Sequence, residues 1–339
     1  MYIKARIAWK RLLLLLGGAA FLWGCVRDDR SECRFPLRLR FAYTYNTEGE
    51  DLFDREIGAL HLYLYDAEGG RLVAAASPDV GSLSGDHTFE WAVPPGSYRV
   101  VAWGGVKQRY DFRSTESYAD ATLSVRRLED GVSVDQACEH LFHSMAGGVK
   151  IDGSVTPEYT LDLHKNSNDV RVVVSGLTDD ERTRLRCTIG SANGDYGFDN
   201  EVRGVEGVCY LPAAGAEGSD ATNEFTVLRL WPGDASRLRV EVAAAGTTAA
   251  GANGTVAGTS AAGTTAAVGA GRAATAAEGS QVIFDGSLSE LLLQKPGTDL
   301  DLQDVFEVRM DVHREPGDKF GVEIYVDGWH VVDVPGGLG

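Results

Sequence analysis

The chain has 339 residues, of which 44% are hydrophobic and 24% charged, a balance that excludes global disorder and supports one large core or two smaller ones. Its formal charge is −17, and once the four basic residues of the first 24 positions are set aside, 28 basic side chains face 49 acidic ones. A surface of that sign repels phosphate backbones, which excludes nucleic acid as a partner.

Lys4, Arg6, Lys10 and Arg11 precede an apolar run from Leu12 to Leu22. That run is too short for the ~20 residues of a membrane-spanning helix, so residues 1–24 read as a secretion signal peptide. The segment ends in Leu22-Trp23-Gly24-Cys25, which resembles a bacterial lipoprotein signal: apolar at −3, small at −1, then the cysteine to be modified. The thiol of Cys25 would take a diacylglycerol thioether, and cleavage would free its amine for a further acyl chain such as palmitate. At ~0.8 kcal/mol per buried CH₂, more than one chain makes the attachment effectively permanent. Val26-Arg27-Asp28-Asp29 resembles the acidic signal that exports Bacteroidetes lipoproteins to the outer face of the cell outer membrane. Residues 25–36, polar and closed by Pro36, read as a lipid-proximal tether.

Strand patterns follow. Leu37, Leu39, Phe41, Tyr43 and Tyr45 alternate with Arg38, Arg40, Ala42 and Thr44, the period-2 signature of a half-buried strand. Leu60, Leu62 and Leu64 form a second strand, turned by Asp66-Ala67-Glu68-Gly69-Gly70 into Arg71-Leu72-Val73. Phe89 to Val93 leads through Pro94-Pro95-Gly96 into Ser97 to Gly104, and the fixed φ of proline beside a permissive glycine predicts a sharp turn. Ser133 with Gln136 makes a capping-box pattern and predicts a short helix from Ser133 to Phe142. The first unit is expected to span residues 37–155.

The second unit, residues 156–335, opens with Tyr159 to Leu163 and continues through Val170, Val172 and Val174 to Thr178 and Glu181, a second capping box. Further strands are expected at Arg186 to Gly190, Glu224 to Trp231, Leu238 to Val242, Val282 to Phe284, Phe306 to Val312 and Val322 to Trp329. Short strands spaced by glycine and proline turns define an all-β class: two β-sandwich domains in tandem, with one or two short helices. Between residues 243 and 280, 31 of 38 positions are Ala, Gly or Thr, too little apolar bulk to offset ordering entropy, so the segment reads as a low-complexity loop inserted between two strands.

Apart from Cys25 there remain Cys33, Cys138, Cys187 and Cys209, an even number in an oxidising compartment. Two disulfides are expected. Three pairings exist, of which Cys33 with Cys138 and Cys187 with Cys209 fit the domain division. Cys138-Glu139-His140-Leu141-Phe142-His143 lacks the two paired ligand clusters of a tetrahedral zinc site, and no metal is assigned; its cysteine reads as structural and its histidines as surface groups.

Several segments, in their order and spacing, carry a resemblance: Cys25 with its acidic stretch and Cys33, Tyr63-Leu64-Tyr65-Asp66-Ala67-Glu68-Gly69, Pro95 to Gly104, Leu141-Phe142-His143, Asn193-Gly194-Asp195-Tyr196, and Val326-Asp327-Gly328-Trp329. Together they resemble the FimB-type fimbrillin family, the lipidated anchor and minor subunits of the Bacteroidales fimbria, over the chain from Cys25 to about Val334 apart from the insertion. The resemblance implies transthyretin-like β-sandwiches tethered at the cell surface, with fimbrillin shaft or accessory subunits as partners bound by strand addition. The short stretch from His330 to Gly339 leaves little to donate onward, which suits a terminal, anchoring subunit.

Two rival classes weigh less. For an enzyme there is no Gly-x-Ser-x-Gly elbow, no His-Glu-x-x-His and no phosphate-cradling loop, while Asp179, Asp180 and Glu181 already serve a helix's first turn. A surface glycan-binding lipoprotein would need Trp91, Trp103, Trp231 or Trp329 exposed for stacking, whereas Trp103 and Trp329 sit in strand patterns that normally fill a core.

Overall fold

The computed structural model describes residues 33–135, 137–203, 207–244, 280–316 and 319–334. The signal peptide, Cys25 and nearly all of the Ala/Gly/Thr insertion lie outside them. The described chain is mostly strand and builds two packed pairs of sheets joined by a fifth.

Eleven strands come from the first half: β1 (Phe35–Ala42), β2 (Leu60–Asp66), β3 (Leu72–Ala76), β4 (Thr88–Val93), β5 (Gly96–Gly104), β6 (Tyr110–Arg113), β7 (Thr122–Val125), β8 (Ser133–Val134), β9 (Phe142–Ile151), β10 (Glu158–Asp162) and β11 (His164–Lys165), with one helical turn, α1 (Phe53–Glu56). A three-stranded sheet, β10-β1-β4, covers a five-stranded one, β11-β9-β5-β2-β3. Residues 158–165, beyond the expected division after 155, therefore pair in the N-terminal sheets. Leu37, Leu39 and Phe41 are fully buried in the core between them, as their alternation requires. β1 begins at Phe35, two residues earlier than expected. Pro36 is tolerated because β1 pairs there with β4 alone, the β10 ladder starting only at Arg38.

The five-stranded sheet is buried on both faces. Leu60, Leu62 and Leu64 of β2 and Val100 and Ala102 of β5 face the N-terminal core, while Tyr63, Tyr65, Val101 and Trp103 face a second, larger core. A sheet covered on both sides replaces alternation with a nearly continuous apolar run, which is what residues 60–65 show. The Pro94-Pro95-Gly96 turn forms as expected, and the Tyr98 hydroxyl donates to the carbonyls of Pro94 at 3.0 Å and Pro95 at 3.1 Å. At the far end of β5, Gly105 has φ +77°, and a Cβ there would sit 1.8 Å from the His140 carbonyl oxygen, so only glycine lets the chain leave the strand.

Twelve strands follow: β12 (Ser167–Ser175), β13 (Leu185–Ser191), β14 (Asp195–Gly197), β15 (Val202–Arg203), β16 (Val208–Tyr210), β17 (Ala213–Glu217), β18 (Asp220–Leu228), β19 (Arg237–Val242), β20 (Gln281–Ser287), β21 (Val305–Glu315), β22 (Lys319–Val326) and β23 (Trp329–Val334), with α2 (Asp179–Arg184) and α3 (Leu288–Leu293). A six-stranded sheet, β17-β18-β12-β21-β22-β23, packs on β20-β19-β13-β16-β8. Val170, Val172 and Val174 of the central β12 are buried between them. α2 starts at the expected capping box: Thr178 Oγ1 accepts from the Glu181 amide, and the Glu181 carboxylate accepts the Thr178 amide at 2.9 Å.

The helix expected from Ser133 to Phe142 is not formed. The Asp130 carboxylate accepts the amides of Val132 and Ser133 at 2.9 and 2.8 Å, and β8 then bridges in parallel to β16, an alliance with residues about 75 positions away that a local capping pattern cannot reveal. Leu141 and Phe142 enter the cores instead.

The fifth sheet, β15-β14-β7-β6, draws two strands from each half. Its Phe198 flank and Phe112 close over the outer face of β2 and β5: Phe198 lies 4.8 Å from Tyr63, 6.1 Å from Tyr65, 6.0 Å from Trp103 and 5.8 Å from Phe112, ring centre to ring centre, mostly edge to face. Such pairs each add ~0.5–1.5 kcal/mol beyond the area they bury. The two sandwiches are thereby locked through one aromatic block.

Candidate functional site

The two units also meet in a polar cleft of about 460 Å³, lined among others by Arg55, Glu56, His140, Lys165, Lys295 and Asp304. Its cations are engaged. Arg55 pairs with Glu48 and Glu56, Lys295 with Asp327 at 2.7 Å, and the buried Lys165 ammonium lies 3.5 Å from Asp304, whose carboxylate also accepts the Tyr43 hydroxyl at 3.1 Å. His140 spans the units, with Nε2 2.9 Å from Asp169 and Nδ1 3.5 Å from Glu56. The cleft is a charge-paired seam between domains. Among its described lining residues there is no serine or cysteine.

The hydrogen bond to Asp169 raises the His140 pKa above the ordinary imidazole value, against burial and the Lys165 charge, which lower it. Burial pulls the Asp169 carboxyl upward, but the His140 bond and charge, with the Thr226 hydroxyl and Lys165, outweigh it and hold that carboxyl low. Because the imidazolium is favoured in the folded state, its contribution is complete below the unfolded histidine value near 6.5 and is lost as pH rises through the raised folded value. Wild-type protein is therefore expected to lose midpoint stability between pH 6 and pH 8 faster than His140→Gln, measured by urea melts across that range; parallel slopes would rule the bridge out as a contributor.

The sequence-predicted site residues are not brought together. Cys33 is exposed, Cys138 and Cys187 are buried, Cys209 is partly buried, and all four are free, so the expected pairs Cys33–Cys138 and Cys187–Cys209 are corrected. In the β13–β16 ladder Cys209 stands opposite Gly190, whereas Cys187 shares the face of Ile189 and hence of Tyr210, so the two thiols lie on opposite faces of their sheet. Cys138 packs in the C-terminal core near Tyr110, and burial pushes its thiol up to about 12, which suits a core filler and not a nucleophile. His143, expected at the surface, is buried against Trp103 with its Nε2 3.1 Å from the Phe198 carbonyl, and burial pushes it down to about 4. Among the described residues no cluster of three or more His, Cys, Asp or Glu could hold a metal, and no helix is long and apolar enough to cross a membrane.

The described tryptophans do not form an exposed row. Trp103 fills the core as expected and Trp91 is buried, but Trp329, expected inside, is 55% exposed because it follows the Asp327-Gly328 turn at the rim. What the molecule does present is strand edge: β4 and β10, β3 and β11, β17 and β23, and β8 and β20 each end a sheet. Unpaired backbone groups along such edges are templates for another chain. Periodicity in the sequence locates strands but gives no sheet order, so these edges were not legible there.

Fold and surface together define a two-unit β-sandwich protein suited to binding other chains. The comparisons place it more closely: residues 30–335 match the family model of fimbrillin-A associated anchor proteins Mfa1 and Mfa2, and the chain belongs to that family. The fimbrial anchor protein Mfa2 from Porphyromonas gingivalis has the same fold, at TM-score 0.67 and 19% identity over 89% of this chain and all of that one. So do a candidate adhesin from Bacteroides ovatus, at TM-score 0.66 and 18% identity over 89% of this chain and 95% of that one, and a candidate polysaccharide-binding protein from Bacteroides thetaiotaomicron, at 0.66 and 21% over 89% and 98%. No curated protein sequence matched.

Proposed function

We propose that this protein is a lipid-anchored fimbrial anchor on the outer face of the outer membrane, seating fimbrillin shaft or accessory subunits by strand addition. Membership of the anchor family is the observation that carries the reading. Supporting it are the lipoprotein-like Leu22-Trp23-Gly24-Cys25, the acidic Asp28-Asp29 that follows, and the number of open sheet edges. Lipidation at Cys25 supplies the membrane attachment, and main-chain hydrogen bonds along an edge supply the grip on the fimbria, with specificity from every second side chain.

The test is fractionation of cells carrying native protein or Cys25→Ser, with surface protease and probing for co-purifying fimbrillin. The native chain is expected in the outer membrane and protease-accessible, and the variant is expected to release both itself and fimbriae into the medium. Unchanged location and unchanged fimbriae would refute both lipidation and anchoring.

A further inference from the structure

The ion pairs around the cleft between the units are of two kinds. Arg55 meets Glu48 at 2.5 Å and Glu56 at 2.9 Å, and Lys295 meets Asp327 at 2.7 Å, close to the spacing of charge-assisted hydrogen bonds. Two further pairs stand apart. The Lys165 ammonium is 3.5 Å from Asp304, and His140 Nδ1 is 3.5 Å from Glu56, beyond the ~2.7–2.9 Å at which such groups close. The Lys165 side chain is only 4% exposed and lines the cleft, so the donors of its ammonium are recessed in it. The N-terminal unit supplies Lys165, His140 and Glu56 to these gaps, and the C-terminal unit supplies Asp304, with Gln303 and Val305 beside it.

The open pairs select a ligand chemistry. Along the lining, Glu48, Glu56 and Asp304 match Arg55, Lys165 and Lys295, while His140 is held by Asp169 at 2.9 Å, which leaves no spare charge for an ionic ligand. A hydroxyl both donates and accepts. Two hydroxyls on neighbouring carbons therefore place one oxygen on the cation and the next on the carboxylate of a single gap. A trans peptide points its N–H and C=O to opposite sides, so one amide cannot serve both. The cleft's 460 Å³ falls within the ~300–1,000 Å³ of small-ligand sites. Val305, 57% exposed on a lining otherwise polar, offers an apolar surface to the C–H face of a sugar ring.

We propose that the cleft is a saccharide site, taking a short neutral glycan whose vicinal hydroxyls bridge Lys165 to Asp304 and His140 to Glu56, with a ring face on Val305. Because the Lys165–Asp304 gap lies across the seam, the bound sugar ties the two units together. The site depends neither on the tryptophans nor on any sheet edge, and it stands apart from lipidation and anchoring.

The probes are cellobiose, lactose and mannobiose, with digalacturonate as the charged control, titrated into the full chain and followed by saturation-transfer NMR. At least one neutral disaccharide is expected to bind, at least tenfold more tightly than the uronide, and to raise the thermal midpoint. Lys165→Met removes the donor of one gap and is expected to weaken binding at least tenfold. Val305→Arg places a long side chain in the cleft from an exposed position that no core residue depends on; it is expected to weaken binding at least tenfold with the ligand-free thermal midpoint unchanged. No saturation transfer from any neutral disaccharide, undiminished binding by Val305→Arg or Lys165→Met, or tighter binding of the uronide overturns the site.

Discussion

Phe198→Ala is expected to cost about 3–5 kcal/mol, the range for emptying a core phenylalanine site, and to lower the thermal midpoint by roughly 6–20 °C at 2–4 °C per kcal/mol. Phe198 is fully buried and its ring touches Tyr63, Tyr65, Trp103 and Phe112 together. It follows β14 in the second half of the chain, while the rings it meets belong to β2, β5 and β6 of the first. The N-terminal core of Leu37, Leu39, Phe41, Leu62 and Val100 does not include it. Calorimetry should therefore show the variant's unfolding split into two steps, the N-terminal sandwich persisting after the C-terminal one has melted. A single transition displaced by less than about 1 kcal/mol would show that the aromatic block does not couple the units.

Asp304→Ala should be nearly as damaging, at about 3 kcal/mol, through a different cause. It strands the Lys165 ammonium, whose side chain is only 4% exposed, and takes the acceptor from the Tyr43 hydroxyl. An uncompensated buried charge is far costlier than the net worth of the pair it came from, and the partial exposure of Asp304 keeps the loss at the lower end of the usual 3–5 kcal/mol. Adding Lys165→Met in the same chain should return much of the loss, since an apolar side chain of similar length needs no counterion. Chemical denaturation of the two single variants and the double one measures this. A double variant no more stable than Asp304→Ala would mean that Tyr43, and not Lys165, is the group that suffers.

Much of the architecture was legible where one face of a strand is wet. The Leu37-Leu39-Phe41 alternation and the Thr178–Glu181 capping box each report a local fact, and each appears where expected. Residues 60–65 were harder: leucines in alternation suggested one buried face, but the intervening tyrosines are buried too, because the second unit closes over them. Nothing local to Ser133 signals the β16 strand that recruits it. The fifth sheet joins segments some 70 residues apart, and its strands of two to four residues leave no periodicity to read. Cysteine parity was equally silent, since an even count does not say which face of a sheet each thiol occupies. The family resemblance reached further than the periodicities because it drew on the order of motifs, among them Asn193 to Tyr196, whose Asn193 and Tyr196 side chains are hydrogen-bonded in the interior.

β1 leads directly from the residues that follow Cys25, with ten residues from that cysteine to Phe35, at most about 35 Å of extended chain. It is not an edge strand: β4 holds one side of it and β10 the other. On the proposed attachment, tension between membrane and fimbria enters the molecule along the axis of this strand, across the direction of its hydrogen bonds. Two ladders then share the load in shear, many bonds straining together, where a strand peeled from an edge would give way one bond at a time. The same burial that seats Leu37, Leu39 and Phe41 makes the first strand after the tether a grip on the rest of the domain.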